Sequence, residues 1–131
     1  MRERDQRGQA LSVFMAVGVV ALLLVCGLVV DGGAQARAVR QAETAAALAA
    51  RAAVDATAPA RLAGAAPEPA VAIRAAEQVL DGYPDLTGEV RLVAGRVEVA
   101  TRARVETVFL SLIGISTLAA SGSATAELQE G

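Results

Sequence analysis

The segment that decides the class of this protein is Ala10–Val30, which reads ALSVFMAVGVVALLLVCGLVV and contains no charged residue. A backbone in lipid can satisfy its hydrogen bonds only internally, so such a segment crosses a bilayer as a helix. About 20 apolar residues, each rising about 1.5 Å, are needed to span a hydrocarbon core about 30 Å thick. The segment has this length, and we predict a transmembrane helix over residues 10–30.

A cleavable secretory signal is the alternative interpretation of the same segment. Charged residues precede it, and the small-residue triplet Ala34-Gln35-Ala36 follows it, which would permit cleavage after Ala36. Signal peptides have shorter apolar regions, of about 7–15 residues, and the helical pattern here continues through the triplet. The length therefore favours a retained anchor, although both interpretations export the C-terminal part.

Arginines on the two sides of the apolar segment indicate its orientation. Three of them precede it and two follow it, namely Arg2, Arg4, Arg7 and Arg37, Arg40. The positive-inside rule places the more basic side in the cytoplasm. We therefore predict a single-pass protein of the cell (inner) membrane, with residues 1–9 as a cytoplasmic N-terminal tail and the C-terminal domain extracytoplasmic.

The composition of the 131-residue chain excludes several function classes. Its net charge is −2 and it has no tryptophan, so it lacks the basic surface and the stacking platforms typical of nucleic-acid-binding proteins. It has no histidine, no glycine-rich phosphate loop and no cluster of metal ligands. We expect neither an enzyme nor a cofactor or metal site. The single cysteine, Cys26, cannot form an intrachain disulfide.

After a junction at Asp31-Gly32-Gly33, which we predict to be flexible or water-facing, residues 31–57 form an alanine-rich juxtamembrane helix. On a helical wheel its small side chains share one face. This alanine stripe consists of Ala38, Ala42, Ala45, Ala46, Ala49 and Ala53. Small residues let helices approach closely, so the stripe predicts packing against another copy or a partner. The alternative is a solvated helix whose alanines reflect a GC-rich genome.

Prolines then interrupt the helical pattern, and we assign residues 58–69 to a linker. Residues 70–131 form a small exported α+β domain in this interpretation. Its first element is an amphipathic helix over Ala70–Leu80, which Gly82 and Pro84 end. Asp81 and Asp85 flank that turn, where aspartates commonly form turns and do not by themselves make a metal site.

The C-terminal part alternates apolar and polar residues, which is the period of strands with one buried face. Two such runs, 89–93 and 97–106, are joined through Ala94-Gly95-Arg96 and predict an antiparallel hairpin. Residues 117–128 predict a last strand. The apolar patch 108–114 predicts a turn of helix that caps the sheet or, alternatively, a second membrane contact. The fold class is α+β, with the short helix packed on about three strands.

Three stretches of the first 55 residues resemble one protein family. They are Arg7-Gly8-Gln9-Ala10, which opens the apolar run, Val30-Asp31-Gly32-Gly33 after it, and a tract with Arg37, Arg40 and then Gln41-Ala42-Glu43-Thr44 followed by alanines and Leu48 to Ala50. This pattern is similar to actinobacterial TadE/TadG-like proteins of tight-adherence (Flp-type) pilus assembly. The resemblance implies a membrane-anchored minor pilin-like or assembly component. Its implied partners are the lipid bilayer and other pilus or secretion membrane proteins, or other copies through the N-terminal helix.

The resemblance also points to a processing site. Gly8 and Gln9 stand where prepilin-type cleavage would occur, but TadE-like members have a Glu five residues after the processed glycine, and here that position is Val13. This departure favours an uncleaved, TadG-like anchor. The alternative function is a secreted ligand- or protein-binding module, released by signal cleavage after Ala36.

Overall fold

The computed structural model describes residues 2–128, with side chains from Gln6 onward. Met1, residues 129–131 and the side chains of Arg2 and Arg4, which belong to the predicted tail and to the end of the predicted domain, lie outside the described residues. The elements, in chain order, are helices α1 (Arg2–Leu62) and α2 (Pro69–Asp81), strands β1 (Thr87–Val93) and β2 (Arg96–Glu106), a 3₁₀ helix (Leu110–Ile113) and strand β3 (Thr117–Glu127). The α+β class is confirmed.

Helix α1 is longer than the sequence predicts. It continues without interruption through Gly32 and Gly33, so the junction is helical and not flexible, whereas its exposure to water stays a prediction. It also runs past the expected end at residue 57 and contains Pro59 near its C-terminus. A proline there removes only one N–H from the last turns. The helix ends at Leu62, and Gly64 follows it with a φ of +71°, the left-handed conformation common after helix C-termini.

The sheet is antiparallel in the order β1-β2-β3. The predicted hairpin joins β1 to β2 through Ala94 and Gly95, whose φ values of 50° and 78° match the tight turn that suits twisted strands. Val97, Val99 and Thr101 alternate with exposed residues along β2 and are buried on the face that packs against α1. The opposite face of the sheet carries mainly charged and hydroxyl side chains.

The core lies between this sheet and both helices. Helix α1 crosses β2 and β3, whereas α2 packs beside α1 and over β1. The buried cluster consists mainly of alanines and valines: Ala46, Ala49, Ala50, Ala53, Ala72, Ala76, Val97, Val99 and Leu128. The second half of α1 is therefore part of the same core as the residues after 70, although the sequence assigned it to a separate juxtamembrane helix. Below, residues 38–128 are called the head.

Candidate functional site

Most side chains in the first half of α1 are not covered by the described head. An 18-residue window in this helix has a mean hydropathy of 3.0 and is only 6 % buried. Large side chains such as Phe14, Val20 and Val29 are exposed. Length and apolar composition suit a membrane anchor, although a signal sequence near the N-terminus would also be helical and apolar.

Asp31, the first residue after the apolar segment, is 2 % exposed and lies against the loop between β2 and β3. One carboxylate oxygen accepts a hydrogen bond from the backbone N–H of Val108 at 2.9 Å. The other accepts from the N–H groups of Phe109 at 3.0 Å and Leu110 at 2.7 Å. These N–H groups open the 3₁₀ helix, where they would otherwise have no intrahelical partner. A carboxylate also suits the positive end of a helix.

These hydrogen bonds lower the pKa of Asp31 below its ordinary value of 3.8. The N–H of Val108 has the largest effect, burial opposes it by raising the pKa, and the N–H groups of Leu110 and Phe109 lower the pKa further. All three donors favour the ionised form, which only accepts hydrogen bonds. At neutral pH the group that joins α1 to this loop is therefore a carboxylate.

Two further contacts continue this junction along the same face of α1. Gly27 is buried, and a Cβ at this position would come within 2.7 Å of Cγ of Phe109, so the phenylalanine ring can lie against the helix only because Gly27 has no side chain. One turn beyond Asp31, the amide nitrogen Nε2 of Gln35 donates to the carbonyl oxygen of Ala119 on β3 at 3.0 Å. The spacing of four residues places these three positions on one side of α1.

Higher on the same face, α1 touches the sheet backbone to backbone. The hydroxyl of Thr101, which is fully buried, donates to the carbonyl oxygen of Ala42 at 2.7 Å. Gly122 pairs with Thr101 across β2 and β3. A Cβ on Gly122 would collide with the backbone of Ala42 and Glu43. Small residues on both elements thus bring the helix close enough for a direct hydrogen bond.

The alanine stripe lies in this contact region. Ala42, Ala45, Ala46, Ala49 and Ala53 are fully buried, and Ala38 is half-buried. Their neighbours are α2 and the sheet of the same chain, so the partner that the sequence proposed for the stripe, another copy or another protein, is not what covers it here. Self-association through the N-terminal helix would have to use residues outside the stripe.

The two predicted processing sites occupy different environments. Gly8 and Gln9 are exposed on α1, and the carbonyl oxygen of Gly8 accepts a hydrogen bond from the hydroxyl of Ser12. Ala34 and Ala36 lie inside the continuous helix, on either side of Gln35. A cut after Ala36 would separate the contacts of Gly27, Asp31 and Gln35 from the head. Cleavage at either place stays a prediction.

The contact residues that the sequence analysis missed are Asp31, Gly27 and Gly122, whereas Thr101 lies on the strand face that was expected to pack against a helix. A signal for Asp31 was present, because Asp31, Gln35, Ala38 and Ala42 follow one another at intervals of three or four residues. The stripe therefore extends to the end of the apolar segment and includes a charged residue there, and a charged residue on a helix face that is otherwise small needs a partner.

Comparison with known protein families gives a match in the N-terminal part of the chain. Residues 8–58 match the Tad family model, described as Flp pilus-assembly TadE/G-like. The match covers the apolar segment, Asp31 and the alanine stripe, and it confirms the family resemblance predicted from the sequence. Comparison with curated proteins and with solved structures found no match.

Proposed function

We propose that this chain, which is TadE/G-like over residues 8–58, is a membrane-anchored component of a Tad/Flp-type pilus or a related secretion system. Within that system we assign it the role of a minor pilin-like or assembly subunit, and a structural and not a catalytic role. The observation that carries the proposal is the continuity of α1, which is apolar and, apart from Gly27, exposed over residues 10–30 and is central to the head from Ala42 to Thr57.

This continuity favours a structural subunit over a tethered binding module. A helix of 61 residues is about 90 Å long at about 1.5 Å per residue. A flexible linker would let a head explore many orientations relative to the membrane. Here Asp31 and Gln35 hold the head against the helix directly above the apolar segment. The head would therefore keep one orientation relative to the bilayer, as a subunit in an assembly requires.

The proposed location is the cell membrane, with the N-terminus in the cytoplasm and the head on the opposite side. The first residue of the mature chain distinguishes the proposals, and mass spectrometry can identify it. An intact N-terminus supports the anchor, a start at Gln9 a processed pilin, and a start at Arg37 the secreted module.

Photo-crosslinking in cells tests the partnership with pilus proteins. A photoreactive residue at Val20, which is exposed on the apolar segment, should give adducts with other membrane proteins of the pilus system. The matched control is the same residue at Ala46, which faces the chain's own core and should give no intermolecular adduct. Adducts at Val20 that persist unchanged in a strain without the Tad pilus genes would contradict the proposed partnership.

A further inference from the structure

The loop 107–115, which connects β2 to β3 at one end of the sheet, has an exposed aliphatic surface. Four of its side chains, Val108, Leu112, Ile113 and Ile115, are between 43 % and 80 % exposed. The loop contains no charged residue. Contiguous apolar surface of this kind indicates a contact with a partner or a lipid surface.

The position of the loop along α1 indicates which of the two it is. Phe109 packs against Gly27, which lies inside the apolar segment, and Asp31 holds the adjoining backbone. Gly27 is four residues before Asp31, or about 6 Å along the helix. At this level the neighbouring side chains of α1, including Leu28 and Val29, are themselves exposed and aliphatic. The exposed aliphatic side chains of the loop therefore lie beside those of the apolar segment and enlarge its apolar surface.

Most backbone N–H groups of the loop have hydrogen-bond acceptors within the protein, as an environment without water requires. Lipid requires that N–H groups find partners within the protein. Asp31 accepts those of residues 108–110. The N–H groups of residues 107, 112, 114 and 115 donate to carbonyl oxygens within 107–116 at 3.0–3.1 Å. The hydroxyls of Thr107 and Ser111 donate to carbonyl oxygens of the same loop.

We propose that loop 107–115 inserts into the lipid leaflet on the side of the head, so that the chain enters the membrane through both a helix and a loop. The proposal rests on the membrane anchoring proposed above. Interfacial elements bury their apolar side chains about 5–10 Å into the boundary between headgroups and acyl chains, which matches the level of Phe109 beside Gly27. Asp31 is the positioning residue, because its carboxylate accepts hydrogen bonds from the backbone N–H groups of residues 108–110, which would otherwise have no partner in lipid.

Tryptophan fluorescence in vesicles tests this insertion. The chain has no tryptophan, so each single substitution gives one reporter. The full-length chain is reconstituted in vesicles of phosphatidylcholine and phosphatidylglycerol that carry bromine near the glycerol or near the acyl-chain end. Leu112→Trp reports on the loop, Leu22→Trp on the middle of the apolar segment, and Val93→Trp on the hairpin at the other end of the sheet. All three positions are exposed, so the substitutions leave the core intact.

We expect blue-shifted emission for Leu112→Trp, with stronger quenching by the shallow bromine than by the deep one. Leu22→Trp should be quenched most by the deep bromine. Val93→Trp should be quenched by aqueous acrylamide and by neither lipid. Combining Leu112→Trp with Asp31→Ala should shift the loop emission to the red and increase its quenching by acrylamide.

Three results would overturn the insertion. If acrylamide quenches Leu112→Trp while only Leu22→Trp responds to bromine, the loop lies in water and the anchor stands. If neither quencher reaches Leu112→Trp, protein covers the loop. If bromine quenches none of the reporters, the membrane anchoring fails as well. An unchanged loop signal after Asp31→Ala would refute the positioning role of Asp31.

Discussion

Replacing Gly122 by alanine tests how closely α1 lies on the sheet. Gly122 is on β3, opposite Thr101 and directly beneath the backbone of α1. A Cβ there would come within 2.6 Å of the carbonyl oxygen of Ala42, and closer still to the backbone nitrogen of Glu43. Both atoms belong to the helix backbone, which cannot rotate away as a side chain can. The whole helix would have to move off the sheet to admit one methyl group.

The size of the effect follows from three contributions. Overpacking a well-packed site costs about 1–3 kcal/mol. Moving α1 stretches the buried hydrogen bond from Thr101 to Ala42, which contributes about 1 kcal/mol. Alanine restricts the unfolded chain more than glycine does, which offsets about 0.4–1 kcal/mol. The free energy of unfolding should therefore fall by about 2 kcal/mol, and Tm by roughly 8–16 °C for a head of this size.

Thermal unfolding of the full-length chain in detergent, followed by circular dichroism, measures this change. The matched control is Gly32→Ala, because Gly32 is exposed on α1 and a Cβ there meets no atom of the described residues within 4 Å. Alanine is favoured over glycine in a helix by about 1 kcal/mol, so the control should keep or raise Tm. An unchanged or higher Tm for Gly122→Ala, beside a normal control, would mean that α1 does not rest on β3 here.

The hydrogen bond itself can be separated from the steric effect by a double-mutant cycle. Thr101→Val should lower the free energy of unfolding by about 1 kcal/mol, because it removes a buried hydrogen bond to a carbonyl oxygen that keeps its partner within the helix. In the Gly122→Ala background the same substitution should cost less, since the bond is already stretched. Strictly additive losses would contradict the coupling of these two positions through Ala42.

Three further predictions follow from single positions. Ala94→Asn should raise the free energy of unfolding by about 1 kcal/mol in the same thermal assay, because Ala94 has a φ of 50° in the hairpin turn and asparagine tolerates that conformation better. The folded-state pKa of Asp31 lies below 3.8, so its stabilisation should be complete above that pH and disappear as the pH falls through the lowered pKa. The protection of the N–H of Val108 against hydrogen exchange, taken relative to the intrinsic exchange rate at each pH, should fall there, and much less in Asp31→Asn. Cys26, the only thiol, should resist a charged maleimide in intact membranes and react after denaturation, whereas Ser123→Cys in a Cys26→Ser background should react at once.

The sequence was sufficient for the elements whose buried face is marked by large side chains. The alternation along β2 follows from Val97 and Val99, and α2 was expected over Ala70–Leu80 and spans Pro69–Asp81. The role of α1 in the core could not be predicted in the same way, because alanines give a helix face little hydrophobic contrast. The partners of Asp31 could not be predicted for a different reason. Its partners are backbone N–H groups 77–79 residues away, and backbone groups leave no mark in the sequence.

One face of α1 contacts the sheet and the loop between β2 and β3 at Gly27, Asp31, Gln35 and Ala42, and is buried as far as Thr57. These contacts lie on both sides of the end of the apolar segment. Rotating the sheet about α1, or sliding it along α1, would break the bonds of Asp31 and of Thr101 together. The orientation of the head is therefore determined by the helix that enters the membrane, and neighbouring subunits that bind this helix would find the head in a fixed position. A binding module on a flexible linker does not require a fixed orientation relative to the membrane, whereas a subunit that packs between neighbouring subunits does.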